Sequence, residues 1–218
     1  MRDLGYARYG AQGGDWGAMI TTSIGQQFGD IVTGVHSNLP LVNFAECDMT
    51  DVTDDETRAL ARVGEHSEWG MGYSAEQSTR PQTLGYALAD SPVGLAAWLI
   101  EKWRAWSDSG GDVDARFGTD FLLTMLTIFW VTNSITSSMR DYYDTRWHAT
   151  PLSDTDYVRT PTAMSLFPHE FVPEGEPPRE WYERLYNIQR WTVSAHGGHF
   201  AAIEEPDVLA EEIRSYFS

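Results

Sequence analysis

The pattern of apolar and polar positions changes twice along the chain. Gly5 to Ala11 is a short semi-apolar run that reads as a strand, and the tight turn Gly13-Gly14-Asp15-Trp16-Gly17 follows it at once. Ala18 to Phe28 then carries apolar residues at helical spacing, and Gly29-Asp30 closes it as a turn. The β-branched run Ile31 to His36 has the look of a buried strand. Strand, turn, helix and strand in that order make a βαβ unit.

The middle has no strand alternation. Asp51 to His66 is polar and helix-prone, and Gly70 to Pro81 reads as irregular, with Tyr73 inside it. Asp90-Ser91-Pro92 caps a helix over Val93–Ser107, with Leu95, Trp98, Leu99, Trp103 and Trp106 on one broad face. Gly110 and Gly111 break it, and a second apolar helix runs from Thr119 to Ser138, ending near Arg140-Asp141-Tyr142-Tyr143. After about residue 155 the α/β pattern returns. Pro161–Phe167 reads as a strand, Pro173–Pro178 as a proline-rich loop, Trp181–Tyr186 as a short helix and Ile188–Ser194 as a strand. His196-Gly197-Gly198-His199 is a loop, and Glu205-Pro206-Asp207 starts a last helix through Phe217. The expected fold is therefore α/β with a mostly parallel sheet. A core segment over 1–40 and another over 156–218 flank a helical insertion over 41–155.

Composition narrows the classes of function. With 28 aromatics and 42% hydrophobic residues, the 218-residue chain can fill a core and is not a disordered segment. A net charge of −17 argues against sequence-independent binding to nucleic acid and against docking on anionic lipid. No apolar stretch reaches the length of a membrane span, and the first residues lack the apolar core of a signal peptide, so a cytoplasmic location is expected. The single cysteine, Cys47, excludes an internal disulfide, and no Cys/His spacing fits a structural zinc. Fourteen of the fifteen basic residues are arginine, and Lys102 is the sole lysine. A GC-rich genome accounts for this simply; an acidic, lysine-poor surface also suits high salt, which screens repulsion.

The chemistry begins at Gly13-Gly14-Asp15-Trp16-Gly17. Gly-x-nucleophile-x-Gly between a strand and a helix is a nucleophile elbow, and here the central residue is aspartate. A carboxylate there can attack a saturated carbon and form an alkyl ester, which water then cleaves at its carbonyl. The second step needs a general base and an oxyanion site, and the backbone N–H of Trp16 is the expected first donor. Chain order supplies the partners: Glu170 after one strand, as the acid that orients a histidine, and His199 after the next, as the base. Singly, each has an ordinary explanation as a glycine turn, a surface carboxylate or a loop histidine. Their order and their placement after successive strands join them. Glu174 and Glu176 stand as alternative acids and His196 as an alternative base.

These residues resemble the microsomal-type epoxide hydrolases of the α/β-hydrolase fold. The resemblance runs over the whole chain: Gln12 to Gly17, Ala89-Asp90-Ser91-Pro92-Val93-Gly94-Leu95-Ala96-Ala97, Phe167-Pro168-His169-Glu170, Gly197-Gly198-His199-Phe200-Ala201-Ala202 and Glu204-Glu205-Pro206. It implies hydrolysis of a small apolar epoxide to a vicinal diol, with Asp15 as nucleophile, Glu170 as charge-relay acid and His199 as base. It also implies two lid tyrosines donating to the epoxide oxygen. Tyr73, in Gly72-Tyr73-Ser74, matches the first; Tyr142 matches the second, with Tyr143 adjacent. The helical middle becomes a lid, whose Trp69, Trp98 and Trp130 either line an apolar pocket or hold the lid together. No metal and no organic cofactor is implied.

One departure from the family is large. Its members carry a long region before the elbow, with the first strands of the sheet and a His-Gly-x-Pro turn that provides a second oxyanion donor; nothing here matches it. The expectation is the C-terminal half of such a hydrolase, N-terminally truncated. Losing that donor by itself reduces turnover by about 10²–10³. The open strand edge invites pairing with another chain, either a second copy or a complementing N-terminal polypeptide. Two alternatives stand beside the epoxide hydrolase: an inactive fragment or non-enzymatic binding module, and a haloalkane dehalogenase-like hydrolase, which also uses an Asp-Trp elbow.

Overall fold

In the computed structural model, which describes residues 1–39, 50–148, 157–170 and 178–218, the chain divides into two compact units. One is Met1–Arg62 with Pro151–Ser218, the other Val63–Thr150. Cys47, Glu174 and Glu176 lie outside the described residues, as does the side chain of Trp69.

The first unit holds a parallel sheet. Among the described residues it has four strands in chain order: β1 (Tyr9–Gly13), β2 (Val32–Ser37), β3 (Val158–Leu166) and β4 (Tyr186–Val193). In β2 and β3 the apolar residues Val32, Val35, Val158, Ala163, Met164 and Leu166 are buried together with the polar His36, Ser37, Thr160, Thr162 and Ser165. Helix α1 (Trp16–Gln27) lies against the sheet through a stripe of small residues, Ala18, Thr21, Thr22 and Gly25, at helical spacing. A Cβ at Gly25 would meet Val35 Cγ2 at 2.8 Å, so glycine sets how closely the helix approaches. Thr22 shares a buried hydrogen bond with Tyr186 Oη at 2.8 Å, and the Thr160 hydroxyl donates to the Gly25 carbonyl at 2.8 Å.

Helix α2 (Asp54–Gly70) begins in this unit. Its buried Glu56 receives Arg184 Nε and Nη2 at 2.7 and 3.0 Å and the Thr53 N–H at 2.8 Å. Near the end of the chain, α9 (Arg179–Glu183), α10 (Ala201–Glu204) and α11 (Pro206–Phe217) follow. Leu209 of α11 and Ala201 close over Phe167.

The second unit is helical: α3 (Gly72–Thr79), α4 (Pro81–Asp90), α5 (Pro92–Ala105), α6 (Val113–Phe117), α7 (Thr119–Thr132) and α8 (Ile135–His148). Leu88, Leu95, Ile135 and Met139 form its core, with Trp98, Leu99 and Phe129 against them. Trp98 thus packs the unit, whereas Trp130 is 39% exposed. Among the described residues no single helix is long and apolar enough to cross a membrane.

Four local expectations change. The first strand starts at Tyr9, because Arg2–Leu4 is a 3-10 turn and the ladder with β2 begins where Tyr9 pairs with Val32. Residues 70–81 are helical: Tyr73, Gln77 and Ser78 of α3 are buried, and Trp147 Nε1 and Arg146 of α8 donate to the Ser78 carbonyl and hydroxyl. The apolar run from Thr119 is two helices. Asn133 adopts a left-handed conformation, φ 50°, and α8 departs from α7 at 83°. The short helix near Trp181 sits earlier, at Arg179–Glu183, and Tyr186 already belongs to β4.

Candidate active site

Asp15 stands between β1 and α1 at the helix N-cap, with φ 51° and ψ −131°. A non-glycine residue holds such a conformation only where its surroundings impose it. They do so here through close packing. A Cβ at Gly13 would lie 2.2 Å from the Gly17 carbonyl oxygen, and one at Gly14 would lie 2.6 Å from the Asn38 amide. Asn38, just past β2, braces the turn from below. Its N–H donates to the Gly13 carbonyl at 3.3 Å, and its side-chain oxygen accepts from Gln12 Nε2 at 2.9 Å. Sequence reasoning missed Asn38, since nothing local marks a residue whose role depends on where β2 ends.

The loops after β3 and β4 bring the other two candidates to the elbow. The His169 N–H donates to the Gly197 carbonyl at 3.1 Å, and His169 bridges Gly198, so the loop carrying Glu170 is stitched to the one carrying His199. His199 Nδ1 lies 2.6 Å from Glu170 Oε1, and His199 Nε2 lies 2.8 Å from Asp15 Oδ2. The other Asp15 oxygen, Oδ1, accepts the Trp16 N–H at 2.6 Å. The His199 and Glu170 side chains are 7% and 6% exposed, while Asp15 is 39% exposed and so reachable from solvent. The alternative base, His196, is exposed and lines a cleft with Thr192, Glu205 and Glu212.

Burial by itself would lower the His199 pKa. Hydrogen bonds to Asp15 and Glu170, with the charges of both carboxylates, outweigh it and raise the value to about 9. Beside both carboxylates the imidazole is therefore a cation at neutral pH.

In the helical unit the structure brings Tyr73 and Tyr142 together, their rings 5.9 Å apart and edge to face. Tyr73 is buried and packs on Trp106 at 5.1 Å. Tyr143, one position on from Tyr142, packs instead with Trp147 and His148 and is 38% exposed. Lys102 Nζ sits 4.5 Å from the Tyr73 ring centroid and 5.6 Å from that of Trp106, within cation–π range. The spacing Lys102, Trp106 on one helix face was the available signal for that contact. Among the described residues no His/Cys/Asp/Glu group could hold a metal ion.

Comparison with known proteins gives this arrangement its context. A protein of Stigmatella aurantiaca is 39% identical over the whole chain, which covers 48% of that protein. Epoxide hydrolase 1 of Sus scrofa is 33% identical over 99% of this chain and 52% of its own length. The solved epoxide hydrolase of Aspergillus niger superposes with a TM-score of 0.80 at 31% identity, covering 100% of this chain and 54% of that one. Over its whole length the chain is thus similar to one half of epoxide hydrolases. No protein-family model matches it. The fold is that of the α/β-hydrolase epoxide hydrolases, and the chain spans about half the length of the curated relatives it matches.

Proposed function

We propose that this chain carries the residues that open epoxides to vicinal diols through an ester on Asp15. The observation that carries the reading is the continuous line Asp15–His199–Glu170, with the Trp16 N–H on the remaining Asp15 oxygen. That arrangement distinguishes the two carboxylate oxygens. Oδ2, facing His199, attacks the less hindered epoxide carbon, and the C–O bond of the ring breaks. The leaving alkoxide takes a proton from a phenol, the role we assign to Tyr73 and Tyr142. Oδ1 becomes the ester carbonyl oxygen, already in contact with the Trp16 N–H.

Ester formation also prepares the base. It removes the Asp15 charge and one of the hydrogen bonds that hold His199 at about 9, so the imidazole pKa falls and the ring gives up its proton, which restores the phenol that protonated the alkoxide. Neutral His199 then takes a proton from water as the hydroxide adds to the ester carbonyl carbon. Glu170 holds the imidazolium, and the tetrahedral oxyanion rests on Trp16 N–H. Collapse expels the diol oxyanion, which takes the proton back from His199, and the Asp15 carboxylic acid so formed passes its own proton to the imidazole and restores the resting pair. The diol leaves with the Asp15 oxygen that attacked, the oxygen of water takes its place in the carboxylate, and the net reaction consumes only epoxide and water.

The edge of β1 supports a second element of the proposal, that a further strand-bearing segment completes the sheet for full activity. Among the described residues β1 pairs with β2 alone, and Leu4, Tyr6, Met19 and Ile20 beside it are exposed. The same segment would supply a second oxyanion donor.

The test is diol formation from styrene oxide, by the chain alone and joined to its upstream coding sequence. Asp15→Ala is expected to abolish it, and His199→Gln to trap one epoxide as an ester on Asp15, seen by peptide mass spectrometry. No diol and no adduct from either form would refute the reading. Halide release from haloalkanes with epoxides inert would assign the site to dehalogenation.

A further inference from the structure

The loop bearing His199 has little regular structure of its own. It leaves β4 at Val193, turns at Gly197 with φ 92°, and runs directly into α10. Its backbone N–H groups on either side of the histidine nevertheless converge on one atom. Oε1 of Glu204 accepts the Gly198 N–H at 3.2 Å and the Phe200 N–H at 3.0 Å. Glu204 is 7% exposed and is the last residue of α10, whose N-cap is Phe200. The Glu204 N–H in turn donates to the Phe200 carbonyl at 2.9 Å. The carboxylate thus reaches back over its own helical turn, as the acid of a capping box does, and spans the catalytic position.

We infer that Glu204 is a positioning residue for His199, its carboxylate gripping the N–H groups of Gly198 and Phe200 so that the imidazole stays between Asp15 and Glu170. Charge-assisted bonds to two backbone donors are about twice as strong as neutral ones, so a buried carboxylate is well suited to holding a loop in one conformation. The grip acts with the two other constraints on this loop, the His169 N–H bond to the Gly197 carbonyl and the packing of Phe167 and Ala201 beneath it. Together they leave the imidazole little freedom to swing. Glu204 itself contacts no reacting atom in the proposed scheme. The inference rests on the catalytic reading of His199 given above.

The experiment pairs kinetics with a measurement that needs no turnover. Histidine-labelled protein is titrated by NMR to read the His199 midpoint, and epoxide hydrolysis is followed in the unmodified chain and in Glu204→Ala and Glu204→Gln. Without the carboxylate, His199 is expected to loosen from its two acids. Its midpoint then falls from about 9 toward the ordinary histidine value. A displacement of about 1 Å at the base costs about 10²-fold in kcat, with KM little changed. Glu204→Gln keeps a side-chain oxygen for both N–H groups and is expected to retain most of the wild-type midpoint and rate.

Should Glu204→Ala fail to fold, Glu204→Asp, whose carboxylate falls one methylene short, is expected to show the same loss in a folded protein. A folded Ala or Asp variant with an unchanged midpoint and unchanged kcat would overturn the assignment. So would a folded Gln variant as defective as Ala, because the acceptor oxygen would then not be what matters. If neither the chain nor its extended form hydrolyses an epoxide, the proposed function falls and the His199 midpoint alone decides the role of Glu204.

Discussion

Raising the pH above neutrality should weaken this fold through one side chain. His199 has a folded-state pKa of about 9 against an ordinary value of 6.5, so the folded chain holds its proton more tightly than the unfolded chain does. The stabilisation is present in full below pH 6.5 and is lost as pH rises through about 9. At about 1.4 kcal/mol per pH unit the gap amounts to about 3 kcal/mol, trimmed toward about 2 by solvent screening at half-open Asp15. The assay is urea denaturation at intervals from pH 6.5 to 10, on the unmodified chain and on His199→Gln. The window is well chosen. His36, pushed down to about 4 by burial, finishes titrating below it, and Tyr216, pushed up to about 12 by burial, titrates above it. Other groups that titrate in between do so in both proteins and cancel in the difference. The unmodified chain should lose about 2–3 kcal/mol more than the variant across the window. Parallel curves would refute the account of His199 as a buried cation between two carboxylates.

Other expected outcomes are more local. Gly13→Ala drives a methyl into the Gly17 carbonyl, so the elbow must move by about 1 Å, and epoxide turnover should fall about 10²-fold, read from initial rates. Arg184→Met strands the buried Glu56 carboxylate, whose pKa is held low chiefly by the Arg184 hydrogen bond; stability should drop by about 3 kcal/mol in urea titration. At the α7–α8 break, Asn133→Val should cost about 1–2 kcal/mol and Asn133→Gly next to nothing, because only the former resists a left-handed backbone; thermal melts separate them.

The elements that sequence reasoning placed well are those whose signals are local. The β-branched run at Ile31–His36 became β2, and Ser91 does cap α5, its hydroxyl accepting the Gly94 N–H at 3.1 Å with Pro92 at the first helical position. Helices α3 and α4 were harder. No side chain caps either of them, and α3 owes its order to burial of Tyr73 and Gln77 and to hydrogen bonds from α8, some seventy residues away. The Asn133 break was hidden because the residues on both sides are apolar and helix-compatible, and only the backbone of Asn133 differs. At the site, Asp15, Glu170 and His199 were legible from order and loop position. Asn38 and Glu204 were not. Each acts by filling a gap or an acceptor need that exists only once the loops are assembled.

The solitary amine of Lys102 has a practical consequence. A lysine-specific protease has a single cleavage point in the whole chain, and it lies inside α5, with the side chain 18% exposed and seated beside Tyr73 and Trp106. A protease must draw several residues of extended backbone into its cleft, so the native chain can be cut there only while that helix is locally open. The rate of appearance of two fragments, against the rate for the denatured chain, therefore measures the opening equilibrium of the helical unit at one known residue. Natural composition has left the protein with a built-in reporter on the local stability of its helical unit.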